Sequence, residues 1–405
     1  MLFRLAIKSL LDRKSSVVLS CIAMTISIFV LLGVEHIRKE SKESFSSTIS
    51  GADLIVGARS GQLNLLLYSV FRLGSPVNNI SWRSYQEIAA NSNVDWTIPI
   101  SLGDSHKGFR VLGTNNDYFS HFKYGKKQTL EFTKGHEFDA IYDVVLGANV
   151  AASLGYKLGD PIILSHGISD TSFSVHDQYP FTVTGILAPT GTPVDQTVHV
   201  KLEGIEAIHQ DGSTAGSRDI DSDELQPASI TAFIVGLKSR VATFRLQRQI
   251  NEMEREPLMA ILPGVALSEL WRMMSVLENT LLLISSMVFV AALLGLAAVM
   301  MSSLKERKKE IHLLRLIGAP PSFLFILFQI EALLISITSL IAGSALLYLS
   351  LLIAKKQIST QLGLHLGTNP LTSSSLIIVI LVVLTTMIVA SLPAFQAYSQ
   401  AKSVR

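Results

Sequence analysis

The chain of 405 residues is poor in charge and almost free of cysteine. Asp, Glu, Lys and Arg make up 16% of it, against roughly 25% in ordinary soluble proteins, and the mean hydropathy is +0.41. Its one cysteine, Cys21, lies in the first long apolar run. A disulfide within the chain is therefore excluded, and the composition is not that of an ordinary soluble protein.

Motifs of common enzymes and nucleotide-binding proteins are also lacking. The sequence contains no GxxxxGKS/T phosphate-binding loop, no HExxH, no CxxC and no GxSxG. Such motifs cradle the phosphates of ATP or supply zinc ligands and nucleophiles. The histidines are scattered rather than spaced as ligands. We therefore predict no catalytic residue, no metal site and no cofactor in this chain.

Long apolar runs are present at both ends of the sequence: residues 17–34, 280–304, 323–354 and 376–392. Each is near or above the length of about 20 residues that crosses a bilayer. Four spans place both termini on one side. Lys355 and Lys356 would lie opposite, but most basic residues share the side of the termini, which the positive-inside rule assigns to the cytoplasm: Arg4, Lys8, Arg13, Lys14, the cluster at 305–315, Lys402 and Arg405.

The residues before the first span predict an amphipathic helix in the cytoplasmic headgroup layer. Its apolar residues share one helical face, away from Arg4 and Lys8: Phe3, Ile7, Leu10 and Leu11. Residues 1–35 thus comprise this helix and the first span, and residues 276–405 the other three spans.

Residues 36–275 predict a large α+β domain outside the membrane, inserted between the first two spans. Alternating apolar residues at 181–188 and 229–238 indicate strands. A helix at 148–154 is closed by Gly155, and another is predicted at 241–253, with an apolar face formed by Val241, Phe244 and Ile250.

Both ends of this domain, residues 35–47 and 266–279, mix polar and apolar residues without Pro or Gly. They predict helices that continue outward from the first and second spans. Such a stalk would pass movement between the membrane and the outer domain.

Small residues recur at helical spacing in two spans. The second span carries Ala291, Gly295, Ala298 and Ser302, and the third carries Ser336, Ser339 and Gly343. Small side chains let helix backbones approach closely in lipid. We therefore predict tight helix packing at these stripes, including packing between two copies of the chain.

Glu331 stands inside the third apolar run, toward its cytoplasmic end. An ionisable side chain at membrane depth is a candidate for function. The alternative is that Glu331 lies near the headgroups and bonds to the end of a neighbouring helix. The sequence leaves both interpretations open.

A charged strip, residues 302–321, separates the second and third spans. Ile311, Leu314 and Ile317 recur at a spacing of three, and Gly318 followed by two prolines ends the pattern. Positive-inside anchoring explains the lysines of the strip. It does not explain the embedded Glu306 and Glu310 or the glycine stop, so we predict a short amphipathic cytoplasmic helix that docks on a partner.

The strip resembles a segment of the permease subunits of the FtsX/MacB/LolC-LolE group of ABC transporters. "KERKKEIHLLRLIGAPPSFLF" matches that group's cytoplasmic segment after the second span. Residues 144–164 and 181–200 are similar to the group's extracytoplasmic core domain. The matching positions of the strip are Arg307, Glu310, Ile311, Leu314, Arg315, Gly318 and Ala319.

The resemblance implies a four-span permease of the bacterial inner membrane with its large domain outside. Two copies, or one copy and a paralogue, would sit on a separate pair of ATPase subunits, which bind ATP and Mg. A coupling helix at about 303–320, including Glu306, would dock on that ATPase. This chain would then be a permease subunit rather than an enzyme.

Three functions compete at this stage. The first is a permease that exports or extracts a hydrophobic or amphipathic substrate, such as a lipoprotein, peptide or drug, together with a periplasmic or outer-membrane protein. The second is a non-transporting, FtsX-like regulator of a cell-wall hydrolase. The third is a membrane-anchored binding protein, which would not need the charged strip. Membrane lipids are expected partners and nucleic acid is not.

Overall fold

A computed structural model of the chain describes residues 2–166, 180–209, 226–306, 313, 316, 320–362 and 373–403. The chain divides into two compact units, which are treated separately below. One contains the membrane-span helices and the first short helix, and the other is essentially the domain Ser41–Met274.

The described helices, numbered in chain order, include both short and very long elements. They are α1 Leu2–Leu11, α2 Lys14–Ser47, α3 Gln62–Ser69, α4 Trp82–Ala89, α5 Asp117–His121, α6 Ala148–Leu154, α7 Leu202–His209, α8 Thr243–Asn251, α9 Pro263–Glu306, α10 Pro321–Leu362 and α11 Ser373–Ser403.

Four of the described helices, α2, α9, α10 and α11, are long and apolar enough to cross a membrane by length and composition. Each contains one of the apolar runs predicted from the sequence, so the four-span prediction is confirmed. Only helices and closed barrels satisfy all backbone hydrogen bonds inside a bilayer, which is why these runs fold as unbroken helices.

Two of these helices extend well beyond their apolar parts. The helix α2 continues through residues 35–47, and α9 begins at Pro263, before the apolar run at 280–304. Proline suits the first position of a helix because its missing N–H would have no helical partner there. The helical extensions predicted at 35–47 and 266–279 are confirmed, while their role as a stalk stays a prediction.

The small residues of the third span pack against the first. Ser339 Oγ donates to the carbonyl oxygen of Cys21 at 3.3 Å. A Cβ on Gly343 would lie 3.1 Å from both the carbonyl oxygen of Thr25 and Cγ2 of Ile28. Glycine therefore permits a close backbone approach at this crossing.

The outer domain is built around one large mixed sheet. Its strands are β1 Leu54–Ala58, β2 Ile80–Ser81, β3 Val94–His106, β4 Phe109–Thr114, β5 Lys123–Tyr124, β6 Gln128–Thr129, β7 Phe132–Gly135, β8 Asp143–Leu146, β9 Pro161–Ile162, β10 Ser165–His166, β11 Phe181–Leu187, β12 Thr197–Lys201, β13 Ser229–Ile230, β14 Ala232–Leu237 and β15 Leu258–Ile261. The α+β domain and the strands predicted at 181–188 and 229–238 are confirmed.

The sheet runs in the order β15-β1-β14-β3-β4-β12-β8-β11-β7, with β10 paired to β3 and β9 to β11. The pairs β12–β4 and β11–β8 are parallel, and the other pairs of this sheet are antiparallel. The hairpin β5–β6 and the pair β2–β13 lie outside it. The first and last strands of the domain, β1 and β15, are thereby neighbours.

Both faces of the sheet are covered, because successive side chains of a strand point to opposite faces. In β1, Ile55 belongs to one apolar cluster, while Leu54 and Val56 belong to another. At the other end of the sheet, Val145 joins the first cluster and Val144 joins a third. One face of the sheet is thus covered by a single apolar cluster, and the opposite face by two separate clusters.

Two helices of the outer domain, α6 and α8, are predicted from the sequence. Gly155 ends α6 in the left-handed conformation, at φ +74°, as predicted. The apolar face predicted for α8 is confirmed at Ile250, which is buried, and is wrong at two positions: Val241, just before α8, is 88% exposed and Phe244 71% exposed. The helix buries Leu246 together with Ile250, and Phe244 lies about 200° around the helix from Leu246.

A substitution at Gly236 can test the pairing of β14 with β3. Gly236 is paired with Trp96, and a Cβ on Gly236 would lie 2.1 Å from Cε2 of the indole. We predict that Gly236→Ala lowers the stability of the outer domain by about 1–3 kcal/mol, because the indole must move out of its packing. Thermal unfolding followed by near-ultraviolet circular dichroism measures this loss.

The matched control is Gly103→Ala on the adjoining β3, where a Cβ would have no neighbour within 4 Å. We expect this variant to unfold at the wild-type temperature. Equal unfolding temperatures for Gly236→Ala and Gly103→Ala would contradict the predicted contact.

Candidate functional site

The predicted coupling segment begins where α9 ends. Glu306 is the last residue of α9 and is exposed, beside Lys305. Leu313 and Leu316, the two residues described between positions 307 and 319, are helical, and α10 starts at Pro321. The other residues predicted to couple lie outside the described residues, so their roles stay predictions: Arg307, Glu310, Ile311, Leu314, Arg315 and Gly318.

A cavity of about 310 Å³ opens beside this end of α9. It brings together residues that the sequence analysis had assigned to three separate roles. Glu306 belongs to the coupling segment, Glu331 to the third span, and Ala298 and Ser302 to the small-residue stripe. The full lining is Ser9, Leu10, Arg13, Ser16, Val17, Ala298, Val299, Met300, Ser302, Ser303, Glu306, Glu331 and Ile335.

Glu331 is 4% exposed, and its carboxylate is hydrogen-bonded. Ser9 Oγ, near the end of α1, donates to Oε1 of Glu331. A carboxyl group removed from water needs a hydrogen-bond partner, because a buried polar group without one is strongly disfavoured. Glu331 thus joins α10 to the short helix α1.

The cavity also contains residues that the sequence analysis did not select. Ser9 lines the cavity and is buried, and Ala6, elsewhere on α1, is also buried, while the apolar residues Phe3 and Leu11 of α1 are exposed. The sequence pattern of α1 indicates only its large apolar residues. It therefore does not predict that a small residue, Ser9, contacts Glu331. Arg13, selected only as an anchoring charge, lies in the turn between α1 and α2 and lines the same cavity.

The small-residue stripe of the second span is not used for packing by the described residues of this chain. Ala291, Gly295, Ala298 and Ser302 are all exposed, and a Cβ on Gly295 would have no neighbour within 4 Å. The opposite face of α9 is buried instead: Leu293, Leu296, Met300 and Leu304. Packing of the stripe against another chain stays a prediction.

His199 is a fully buried histidine of the outer domain. Its Nδ1 lies 3.2 Å from the carbonyl oxygen of Val145, and its ring packs against Tyr118. Burial, with a smaller contribution from the Arg72 charge, lowers the pKa of His199 to about 3. It is a neutral core residue. Across the described ranges, no three His, Cys, Asp or Glu side chains form a group that could hold a metal.

These elements define a multi-span membrane protein with a large α+β domain between its first two spans. Two family models match the sequence: the MacB-like periplasmic core domain over residues 17–253 and the FtsX-like permease C-terminal domain over residues 282–401. The first of these matches alone covers more than half of the chain. The chain therefore belongs to the FtsX/MacB-type permease family of ABC-type transporters, and its α+β domain is extracellular.

Two solved structures are similar to the outer part of the chain. The periplasmic region of MacB from Actinobacillus actinomycetemcomitans has 11% identity and a TM-score of 0.36, and the match covers 55% of this chain and 94% of that one. The extracellular domain of the noncanonic ABC-type transporter YknZ from Gram-positive bacteria has 12% identity and a TM-score of 0.32, with coverages of 52% and 98%. No curated protein matches. The family assignment rests on the two family models.

The hydrogen bond to Glu331 makes a prediction about stability. Glu331→Ala removes the acceptor and leaves the Ser9 hydroxyl buried, which costs about 1–3 kcal/mol. Glu331→Gln keeps an acceptor oxygen, so we expect a smaller loss. The fraction of protein that stays monodisperse in detergent after heating measures the difference.

The control is Glu306→Gln, which alters an exposed carboxylate at the same cavity. We expect this variant to behave as wild type. If Glu331→Ala also tolerates heat as well as wild type, the bond to Ser9 does not hold α1 in place.

Proposed function

We propose that the chain is the permease subunit of an ABC transporter, and that it couples ATP hydrolysis by a separate ATPase subunit to movement of its outer domain. One observation supports this most strongly. The single helix α9 contains 44 residues without an internal proline and joins the predicted coupling segment to the outer domain. At 1.5 Å per residue it is about 66 Å long, against about 30 Å of hydrocarbon.

The coupling segment at about 303–320 has the chemistry for docking. Arg307, Glu310 and Arg315 would pair with charges on the ATPase, while Ile311 and Leu314 pack toward the permease. Gly318 would end the helix sharply, so that a displacement is transmitted rather than absorbed. Glu306 links this segment to the cavity that also contains Glu331 and Arg13.

The assembly would contain a second copy of this chain or a paralogue. The exposed stripe of Ala291, Gly295, Ala298 and Ser302 supports a helix contact of this kind. ATP and Mg would be bound by the ATPase pair. The distribution of basic residues supports an inner-membrane location with both termini in the cytoplasm.

The work done outside the membrane would be the export or extraction of a hydrophobic or amphipathic substrate of the lipoprotein, peptide or drug class. The exposed apolar residues of the outer domain, such as Phe244 and Val265, favour a substrate with an apolar part. A periplasmic or outer-membrane protein would receive the substrate.

The docking role predicts the effect of two substitutions on ATPase association. Glu310→Lys reverses a charge in the docking face, and Gly318→Pro excludes the left-handed conformation with which Gly318 would end the helix. Because juxtaposed like charges cost several kcal/mol at an interface, we expect at least about a tenfold loss of co-purified ATPase. Affinity purification of the full chain, mass spectrometry and an ATP hydrolysis assay measure it.

Lys356→Glu is a charge reversal of the same size at a residue predicted to lie on the other side of the membrane, and it serves as the control. It should leave the amount of ATPase unchanged. Absence of any ATPase from the wild-type preparation would refute the proposed function, and equal recovery with Glu310→Lys would refute the docking face.

A further inference from the structure

A basic cavity of about 290 Å³ lies on the surface of the outer domain. Four basic side chains line it, against one carboxylate: Lys123, Lys127, Lys238, Arg240 and Asp53. The other wall is a stacked pair, with the rings of Trp96 and His121 5.1 Å apart and 13° from parallel.

Separate elements bring these charges together. Lys123 starts β5, and Lys127 occupies the turn that leads to β6 at φ +63°. That left-handed backbone conformation is lower in energy for Gly or Asn than for Lys. Lys238 and Arg240 follow β14, the third strand from one edge of the large sheet. The cavity thus lies between the β5–β6 hairpin and the end of a strand of the large sheet.

The basic side chains are not neutralised by neighbouring carboxylates. Over the part of the chain that the structure describes, Lys123, Lys127 and Arg240 have no ion pair. The carboxylate of Asp53 is itself engaged, because its Oδ2 accepts from the backbone N–H of Leu237 at 2.8 Å. Like charges that converge on a concave surface raise the local concentration of anions.

An apolar cavity of about 400 Å³ adjoins the basic one and shares Gly51, Asp53 and Arg240 with it. Phe244, Leu262 and Val265 line its other side. Phe244 is 71% and Val265 54% exposed, although other side chains of α8 are fully buried. An exposed apolar surface beside a basic one suits a molecule with both kinds of group.

We propose that the two cavities form one binding site for an amphiphile with an anionic headgroup, a phosphate or a carboxylate. The headgroup is held by Lys123, Lys127 and Arg240, and the apolar part lies against Phe244 and Val265. This inference adds a substrate class to the proposed function. The conclusion that the site takes part in transport rests on that function, whereas the binding of the amphiphile does not depend on it.

Octyl phosphate is a suitable probe because it carries one anionic headgroup and one short apolar chain. It would be titrated into the full-length protein in phosphatidylcholine nanodiscs, with the heat of empty nanodiscs subtracted. We expect saturable binding that is at least about tenfold tighter than that of inorganic phosphate, which lacks the apolar part. Octyltrimethylammonium, which reverses the charge, should not bind.

Matched variants separate the two parts of the site. Arg240→Glu should weaken octyl phosphate binding about tenfold, while Arg245→Glu, an exposed charge outside both cavities, should change it by less than about twofold. Phe244→Ser should weaken octyl phosphate but not inorganic phosphate. Val77→Ser, at a side chain that is 68% exposed elsewhere in the domain, is its control.

Several results would overturn the proposal: no saturable binding of octyl phosphate, equal binding of octyltrimethylammonium or of inorganic phosphate, or equal effects of Arg240→Glu and Arg245→Glu. Circular dichroism verifies that each variant is folded. Co-purification of the ATPase is scored in the same preparations. If the ATPase is present but octyl phosphate does not bind, only the substrate class fails; binding without an ATPase removes the transport function and leaves the site.

Discussion

The proposed coupling depends on one feature: α9 is a single unbroken helix from Pro263 to Glu306. Inside hydrocarbon each N–H and C=O must be satisfied within the helix, so the apolar run at 280–304 has no freedom to bend without a break. No proline interrupts the helix after Pro263. In the proposed mechanism, a displacement at Glu306 would be carried along α9 to the outer domain, instead of being lost in a loop.

At the Glu306 end of α9, one cavity unites groups from four segments of the chain. Glu331 of α10 accepts from Ser9 of α1, and Arg13 and Glu306 lie around the same space. Buried hydrogen-bonded polar groups impose a specific geometry, because breaking one such bond leaves the partner group unsatisfied. The cavity thus brings α1 and the third span together beside Glu306, where the predicted coupling segment continues from α9.

Sequence reasoning was strongest where a single periodic run determines the structure. The lengths of the apolar runs predicted the four span helices. Gly155 ends α6 in the left-handed conformation, as predicted. Sequence reasoning was wrong at Phe244 of α8, which is exposed, because the spacing of an apolar residue that lines a surface cavity does not distinguish it from one in the core. It could not find the basic cavity, which combines Lys123, Lys127 and Arg240 from segments far apart in sequence.

The most direct test is to bend α9 between the membrane and the outer domain. Val276 is 70% exposed, so Val276→Pro acts on the helix backbone rather than on packing, and Val276→Ala is its control. Spin labels on Arg245→Cys and Leu381→Cys, in a Cys21→Ser background, report the distance between outer domain and fourth span. We predict that ATP shifts this distance in wild type and in Val276→Ala but not in Val276→Pro, although the ATPase stays bound. An unchanged shift in Val276→Pro would contradict transmission through α9.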